Sequence, residues 1–173
     1  MFRCLISRPN TQRFVRTCAA IDRVVESQRF VLGAEGQALE EEIARYCQAK
    51  FAIGCASGSD ALLLALMSRG IGEGDEVITT SFTFFATAAA IARLGARPVF
   101  VDIDERTFNM DAEHVEAATS QRTKAIIAGH LYGQCVDMNP LIEIAAKHGI
   151  QSYPELTDTQ QDYVVGTVAE FFR

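Results

Sequence analysis

The sequence predicts an α/β protein with three layers, in which a mostly parallel sheet carries flanking helices on both faces. Three observations indicate this fold class. Short apolar runs alternate with amphipathic segments at helical spacing, capping residues or glycines separate them, and 49% of the 173 residues are hydrophobic. A chain of this length buries about two thirds of its unfolded surface, so one globular domain is expected.

A helix, a strand and a second helix open the pattern. Apolar residues recur at helical spacing over 39–47, with glutamates on or beside the wet face, and predict an amphipathic helix. The run Phe51–Cys55 is too short for a helix and lies between a lysine and a Ser-Gly turn, so we interpret it as a buried strand. Ser59 is suited to cap a helix over Asp60–Arg69, and Gly70 to follow its end.

Three more strand-helix units follow. Their strands are Glu76–Thr79, Pro98–Val101 and Lys124–Ala128, and their helices run around 87–94, from Asp111 to Ala118 and from Asp137 to His148. In the last helix Pro140 lies near the first turn and Gly149 lies past the end. Four βα units predict a parallel sheet.

After Ile150 the pattern breaks. Gln151–Pro154 supplies polar residues and a proline that cannot donate to a strand ladder. Thr157–Gln160 forms a capping box for a terminal helix that reaches Phe171. We therefore expect the sheet to end at Ile150 and a closing helix to follow.

Composition excludes several classes of function. The net charge of −6, with no basic run interleaved with aromatics after residue 30, argues against nucleic-acid binding. The longest apolar stretches, such as 86–92, fall short of the roughly 20 residues that span a bilayer, so a soluble protein is expected. The five cysteines are scattered, without metal-ligand spacing, and fit a reducing, cytoplasmic compartment with no metal site. They are Cys4, Cys18, Cys47, Cys55 and Cys135.

The N-terminal segment 1–17 stands apart from the rest. It carries four arginines, and no acidic residue precedes Asp22, which is the composition of an organellar transit peptide. The same composition also suits a disordered or mis-started N-terminus. We therefore divide the chain into a divergent segment 1–17, a domain over 18–150 and a C-terminal segment 151–173.

The segment Ser57–Leu62 has the composition of a phosphate-binding cup. A strand that ends in Ser-Gly-Ser and opens a helix presents unpaired backbone N–H groups and the positive end of the helix dipole to an anion. The same residues also suit an ordinary helix cap. The motif alone leaves the two interpretations open.

Beyond the next predicted strand, the run Thr80-Ser-Phe-Thr-Phe-Phe-Ala-Thr87 resembles the DegT-type family of nucleotide-sugar aminotransferases dependent on pyridoxal 5'-phosphate (PLP), within fold type I. The resemblance covers about residues 18–150. It implies an incomplete large domain of fold type I. It also implies a reaction in which an amino group, usually from glutamate, is transferred to a nucleotide-linked keto sugar for polysaccharide biosynthesis. The other matching motifs are Arg29–Gly33, Ala38–Glu42, Ala56–Leu62, Gly74–Ile78, Pro98–Asp102, Thr123–Ile127 and His130–Gly133.

The resemblance also implies which residues contact the cofactor. Ser59 and Asp60 match positions whose backbone amides, with the Ser59 hydroxyl, hold the PLP phosphate, and Gly58 allows a close approach. Phe84 matches the aromatic residue that stacks on the pyridine ring. Without the family pattern, Phe82, Phe84 and Phe85 are typical of a core.

Other polar residues are weaker candidates. His130 follows a predicted strand at the end where α/β folds bind ligands, and it also suits a structural role. We interpret His114 and His148 as solvated. Asp102 and Asp104 follow a strand as a pair, but arginines nearby favour a surface turn.

The chain departs from the family where chemistry is concerned. Transamination requires a Schiff-base lysine and a carboxylate at the pyridine nitrogen, and in the family both follow the position of Ile150. The only lysines, Lys50, Lys124 and Lys147, do not match, so no catalytic residue is predicted. Residues 153–172 resemble the family's C-terminal helix, which suggests a deleted middle segment.

We therefore expect a half-built site with weak, non-covalent PLP binding and no turnover by the chain alone. The alternative is a non-catalytic binding or assembly module, as a homodimer or with a full-length homologue, because a missing middle leaves an open sheet edge. A dinucleotide-binding domain is disfavoured because no Gly-x-Gly-x-x-Gly follows the first strand. Nucleotide-sugar and amino-acid substrates are implied by the resemblance alone.

Overall fold

The computed structural model describes residues 11–131 and 134–152. They fall into two compact units, the first ending at Gly54 and the second beginning at Cys55. The C-terminal helix and capping box predicted from the sequence lie outside the described residues.

The first unit contains two helices. They are α1 (Thr11–Ser27), which begins within the segment 1–17, and α2 (Ala34–Tyr46). The Arg23 guanidinium donates to the Glu35 carboxylate at 2.7 Å and so ties α1 to α2. Gly33 caps α2, and a Cβ added there would lie 2.6 Å from the Arg29 carbonyl oxygen. This close approach requires glycine. The helix predicted over 39–47 is confirmed, with an earlier start.

The prediction of a strand over Phe51–Cys55 was wrong. These residues have no regular secondary structure, and the Phe51 and Ile53 side chains are exposed. The N–H of Gly54 donates to the Glu40 carboxylate at 2.6 Å rather than to a neighbouring strand. An apolar run forms a strand only where a partner strand receives its backbone hydrogen bonds, and the described sheet contains none here.

The second unit is built on a four-stranded parallel sheet with the order β2-β1-β3-β4. The strands are β1 (Glu76–Thr80), β2 (Arg97–Val101), β3 (Thr123–Ile126) and β4 (Gln151–Ser152). The helices are α3 (Gly58–Ser68), α4 (Phe85–Arg93), α5 (Ala112–Ala118) and α6 (Met138–His148). The parallel α/β fold predicted from the sequence is confirmed.

The sheet does not end at Ile150 as predicted. Gln151 and Ser152 form β4 and pair with Ala125 and Ile126 of β3. A short strand at the end of the strand order needs only backbone groups for its ladder, so polar side chains do not prevent it. The proline that suggested a break, Pro154, lies beyond this pair.

Each face of the sheet carries its own apolar core, which confirms the three layers. Val77 of β1 and Ala125 of β3 pack with α3 and α4 on one face. Ile78 and Ile126, one position further along each strand, pack with α5 and α6 on the other. The α3 and α4 side contributes Leu66, Ala90 and Ile91, and the α5 and α6 side contributes Val115, Leu141 and Ile144.

Helix caps confirm most of the predicted boundaries. Asp111 caps α5 by accepting from the Glu113 N–H, and Asp137 caps α6 by accepting from the Asn139 N–H. Gly70 and Gly149 follow α3 and α6 with positive φ values of 69° and 65°, a conformation that favours glycine. The prediction of Ser59 as the cap of α3 was wrong, because Ser57 is the capping residue.

Candidate functional site

The strand order creates a topological switch point between β1 and β3. From β1 the chain crosses through α4 to β2 on one side, and from β3 it crosses through α6 to β4 on the other. Open α/β sheets bind ligands in the crevice outside the carboxyl ends of two such strands. The loops that follow β1 and β3 therefore define the candidate site.

These two loops lie close together. The Ile127 N–H donates to the Ile78 carbonyl at 2.8 Å, and the Thr79 hydroxyl donates to the Ile127 carbonyl at 3.1 Å. A Cβ added to Gly129 would lie 3.2 Å from Oγ1 of Thr83. A glycine in the β3 loop thus lets that loop approach the β1 loop.

The N-termini of α3 and α4 lie at the same edge. α3 and α4 pack together. The turns that follow the two helices also meet, because a Cβ added to Gly95, after α4, would lie 3.7 Å from Glu73, after α3. Helices whose C-terminal turns meet present their N-termini at a common end. α4 starts directly after the β1 loop, so that end is the carboxyl edge of the sheet. Two positive helix ends therefore flank the crevice.

The first turn of α3 has donors available for an anion. Ser57 Oγ accepts from the Asp60 N–H at 3.1 Å and donates to the Asp60 carboxylate at 2.9 Å. The N–H groups of Gly58 and Ser59 lie in the first turn, where a helix offers no internal acceptor. A Cβ added to Gly58 would meet no atom of the chain, so the adjacent space is open.

The residues in the first turn of α3 fit a phosphate group only in part. Gly58 and Ser59 offer backbone N–H groups, and Ser59 also carries a hydroxyl. The Asp60 N–H is already bonded to Ser57, and its carboxylate would oppose a second negative group at the same helix end. Gly58 and Ser59 thus have N–H groups open to an anion, whereas the N–H of Asp60 is already occupied.

The aromatic residues of the β1 loop are not core residues. Phe84 caps α4 and is 75% exposed, and Phe85 is 78% exposed. The Phe82 ring packs against Phe108 with centroids 5.8 Å apart. The alternative of a core role for Phe84 was therefore wrong, and its ring is accessible for stacking on a planar ligand.

His130 is half-buried in the β3 loop. Its Nδ1 accepts a hydrogen bond from the Val136 N–H at 3.2 Å. Burial lowers the pKa of His130 below its usual range, which favours the neutral ring. A neutral ring whose Nδ1 accepts carries its proton on Nε2, so the side chain is both structurally bonded and a potential donor at the site edge.

The other polar candidates have structural partners. Asp104 accepts from the N–H groups of Thr107 and Arg106, which lowers the pKa of its carboxyl and confirms the surface turn. This turn lines a cavity of about 550 Å³. His114 pairs with Asp111 at 3.7 Å. His148 contacts Glu116 at 3.0 Å. Both histidines are exposed, so the prediction that they are solvated is confirmed.

Neither lysine of the second unit lies at the crevice. Lys124 is the second residue of β3 and therefore lies towards the opposite edge of the sheet. Lys147 pairs with Glu116 at the end of α6, just before β4 begins. In the first unit, Lys50 is exposed, with Nζ 5.4 Å from the centroid of the Phe51 ring.

Two residues that the sequence analysis did not select also contribute to the site. Phe108 has a positive φ of 58°, which is unusual for a bulky residue. Asn109 is 5% exposed and donates to the carbonyls of Cys135 and Gln134 at 3.1 and 3.5 Å. Neither the positive φ of Phe108 nor the hydrogen bonds of Asn109 can be predicted from the local sequence.

Two features are absent from the part of the chain that the structure describes. Within 11–131 and 134–152, no helix combines the length and apolar character needed to cross a bilayer. No group of three or more histidine, cysteine, aspartate or glutamate side chains in these ranges is arranged to hold a metal ion.

Residues 14–153 match the family model of the DegT/DnrJ/EryC1/StrS aminotransferase family. The chain is 58% identical over 130 residues to a pleiotropic regulatory protein of Geobacillus stearothermophilus, a match that covers 75% of this chain and 35% of that protein. It is 48% identical over 145 residues to the UDP-2-acetamido-2-deoxy-3-oxo-D-glucuronate aminotransferase of Pseudomonas aeruginosa, covering 84% and 40%.

Solved structures give the same match. S. venezuelae DesV in complex with a ketimine intermediate matches with a TM-score of 0.78 at 44% identity, covering 82% of this chain and 38% of DesV. NtdA from Bacillus subtilis with the bound cofactor PMP matches with a TM-score of 0.77 at 30% identity, covering 86% and 33%. The chain therefore spans well under half the length of these relatives.

Proposed function

The chain belongs to the DegT/DnrJ/EryC1/StrS aminotransferase family, and we propose that it supplies the phosphate-binding and ring-stacking part of a PLP site without turning over substrate by itself. The observation that carries this proposal is that the N-termini of α3 and α4 and the exposed ring of Phe84 all lie at the switch point between β1 and β3. Phosphate is favoured at helix N-termini, and an exposed aromatic ring beside them suits a planar cofactor.

Each contact has a specific task in this proposal. The N–H groups of Gly58 and Ser59, with the Ser59 hydroxyl, bind the phosphate. Phe84 packs on one face of the pyridine ring and excludes water from it. Asp60 contributes less than the family resemblance implies, because its N–H is bonded to Ser57. PLP, when bound, would supply the electron sink for amino-group chemistry.

The names of the relatives support a proposal for the substrate class. The P. aeruginosa relative is named as an aminotransferase of a UDP-linked keto sugar. We propose that a complete site containing this part acts on a nucleotide-linked keto sugar and an amino acid in polysaccharide biosynthesis. Such substrates fit a cytoplasmic location, which we propose for this chain.

The test is a fluorescence titration of the purified chain with PLP, beside two matched variants. Ser59→Asp places a carboxylate at the proposed phosphate site, where the helix dipole tolerates the acid but phosphate is repelled. Ser68→Asp makes the same change at the exposed C-terminal end of α3. We expect saturable binding that weakens about tenfold or more in Ser59→Asp only.

Either of two results would contradict the proposal. One is wild-type chain that is folded by circular dichroism but does not bind PLP saturably. The other is equal weakening in both variants, because that would place the phosphate away from the N-terminus of α3.

A second candidate function is a non-catalytic assembly module that pairs with another copy or with an intact homologue. The observation that favours it is the segment between α1 and α2, where Val31 is 81% and Leu32 is 98% exposed beside the exposed Phe30. Adjacent large apolar residues left in water mark interaction surfaces.

Sedimentation equilibrium across the micromolar range tests self-assembly. We expect concentration-dependent association that Val31→Asp abolishes, whereas Met67→Asp, at an exposed apolar residue of α3, leaves it intact. A monomer at all concentrations, alone and when mixed with a full-length relative, would exclude this candidate.

A further inference from the structure

The corner formed by Phe108 and Asn109 has two unfavourable features. Phe108 adopts a positive φ of 58° although it carries a bulky side chain. Asn109 is 5% exposed, and its Oδ1 is buried with no hydrogen-bond partner among the described residues. Strained backbone and unpaired buried polar atoms together indicate a constraint beyond stability.

The corner braces both loops of the crevice. The Phe108 ring packs on Phe82 of the β1 loop. The Asn109 side-chain amide donates to backbone carbonyls of Cys135 and Gln134 in the segment that follows β3. One pair of adjacent residues, after β2, thus contacts the segments that follow β1 and β3.

The peptide group between Cys135 and Val136 is bonded on both sides. Its carbonyl oxygen accepts from Asn109 Nδ2 at 3.1 Å, and its N–H donates to His130 Nδ1 at 3.2 Å. Because a peptide is planar and rigid, fixing its carbonyl also fixes the direction of its N–H. The two hydrogen bonds also polarise each other through the peptide.

We propose that Asn109 is a positioning residue for His130, acting through the Cys135–Val136 peptide to hold the imidazole as its Nε2–H tautomer at the crevice. The ring then offers a hydrogen-bond donor rather than an acceptor beside the β3 loop. A donor is the form that suits an anionic or carbonyl oxygen of a ligand in that crevice. The role of this donor in ligand binding rests on the proposed function, whereas the assignment of the tautomer does not.

The chain offers a matched pair of variants. Asn109→Asp keeps the side-chain shape but replaces the donating NH₂ with a carboxylate oxygen, which repels the Cys135 carbonyl. Asn139→Asp makes the same change at an exposed residue in the first turn of α6. Both are compared with wild type, without cofactor, by NMR of chain carrying ¹⁵N-labelled histidine.

The imidazole nitrogen shifts report the tautomer directly. We expect wild type and Asn139→Asp to show His130 as one Nε2–H tautomer, and Asn109→Asp to show a mixture of both. A folded Asn109→Asp protein that keeps the pure Nε2–H form would overturn the proposal. So would a wild-type His130 that is mainly the Nδ1–H tautomer.

A wild-type measurement decides the matter if Asn109→Asp does not fold. Protonating His130 with acid removes the acceptor of the Val136 N–H and so releases the bridging peptide. We expect the Asn109 side-chain amide signals to shift with the same midpoint as the His130 ring. Asn109 signals that do not respond as His130 titrates would refute the proposal that Asn109 acts on His130 through this peptide.

A PLP titration separates this proposal from the proposed function. If PLP binds in the crevice, Asn109→Asp should weaken it severalfold and Asn139→Asp should not. If wild-type chain does not bind PLP, the proposed function fails while the tautomer measurement still decides the role of Asn109. If Asn109→Asp alters the tautomer but leaves PLP binding unchanged, Asn109 still positions His130, but the His130 tautomer does not matter for ligand binding.

Discussion

The Glu76 carboxylate lies 2.7 Å from the guanidinium of Arg122, which joins the start of β1 to the residue before β3. The same carboxylate accepts from the Ser120 hydroxyl, and the Glu76 N–H donates to the Arg122 carbonyl at 2.8 Å. Arg97 of β2 approaches at 3.5 Å. This buried acid therefore connects three adjacent strands at the edge opposite the crevice.

We expect Glu76→Gln to lower the free energy of unfolding by about 1–3 kcal/mol, because charge-assisted hydrogen bonds at a buried position are lost. Urea unfolding at neutral pH measures this. Glu73→Gln, at an exposed glutamate in the preceding turn, is the control and should be near neutral. Equal, small effects in both variants would mean that the Glu76 cluster adds little stability.

The same carboxylate predicts a pH dependence. The hydrogen bond from Ser120 lowers the pKa of Glu76, assisted by Arg122 and Arg97 and opposed by burial. A lowered folded-state pKa stabilises the fold above the unfolded pKa of about 4.3, and this stabilisation is lost as pH falls through the folded value. The stability difference between wild type and Glu76→Gln should therefore be largest near neutral pH and shrink in acid. A difference that grows in acid would contradict this sign.

Two glycines at the start of α2 should respond to alanine in opposite directions. At Gly33 an added Cβ would lie 2.6 Å from the Arg29 carbonyl oxygen, so Gly33→Ala must displace backbone and should cost about 1–3 kcal/mol. At Gly36, inside the helix, no atom lies within 4 Å, so Gly36→Ala should stabilise α2 by about 0.5–1 kcal/mol. Amide hydrogen exchange along α2 measures both. Stabilisation by alanine at both positions would show that helix propensity, not the Arg29 contact, decides the effect at Gly33.

Phe84 and Phe85 allow ring stacking to be tested at nearly equal exposure. Because both rings are exposed, alanine at either should change stability little. If Phe84 stacks on PLP, Phe84→Ala should weaken PLP binding by about two- to tenfold, the range for an aromatic contact. Phe85→Ala should leave PLP binding within error of wild type. A stronger effect at Phe85 would transfer the stacking role to that residue.

The sequence predicts β1, β2, β3 and most helix ends because their signals are local. Asp111, Asp137 and Gly149 cap the helices that their positions indicate. The cap of α3 was missed because Ser57 and Ser59 both suit capping, and only the hydrogen bond to the Asp60 N–H distinguishes them.

Long-range contacts explain what the sequence did not predict. The strand expected at Phe51–Cys55 lacks a partner, and β4 exists because β3 offers its backbone groups. The hydrogen bond from Asn109 to Cys135 crosses 26 positions and depends on the orientation of one peptide. The accessibility of Phe84 likewise depends on what packs around it, which no local pattern specifies.

The positions of the lysines lead to the last prediction. Lys124 and Lys147 lie towards the edge of the sheet opposite Phe84, and Lys147 is paired with Glu116. After incubation with PLP and borohydride, intact mass should therefore show no single stoichiometric adduct. Any partial labelling should be the same in wild type and in Ser59→Asp, because surface lysines react independently of a phosphate site. A single adduct that Ser59→Asp abolishes would mean that Lys50, Lys124 or Lys147 reaches the bound cofactor, and peptide mapping would identify which one.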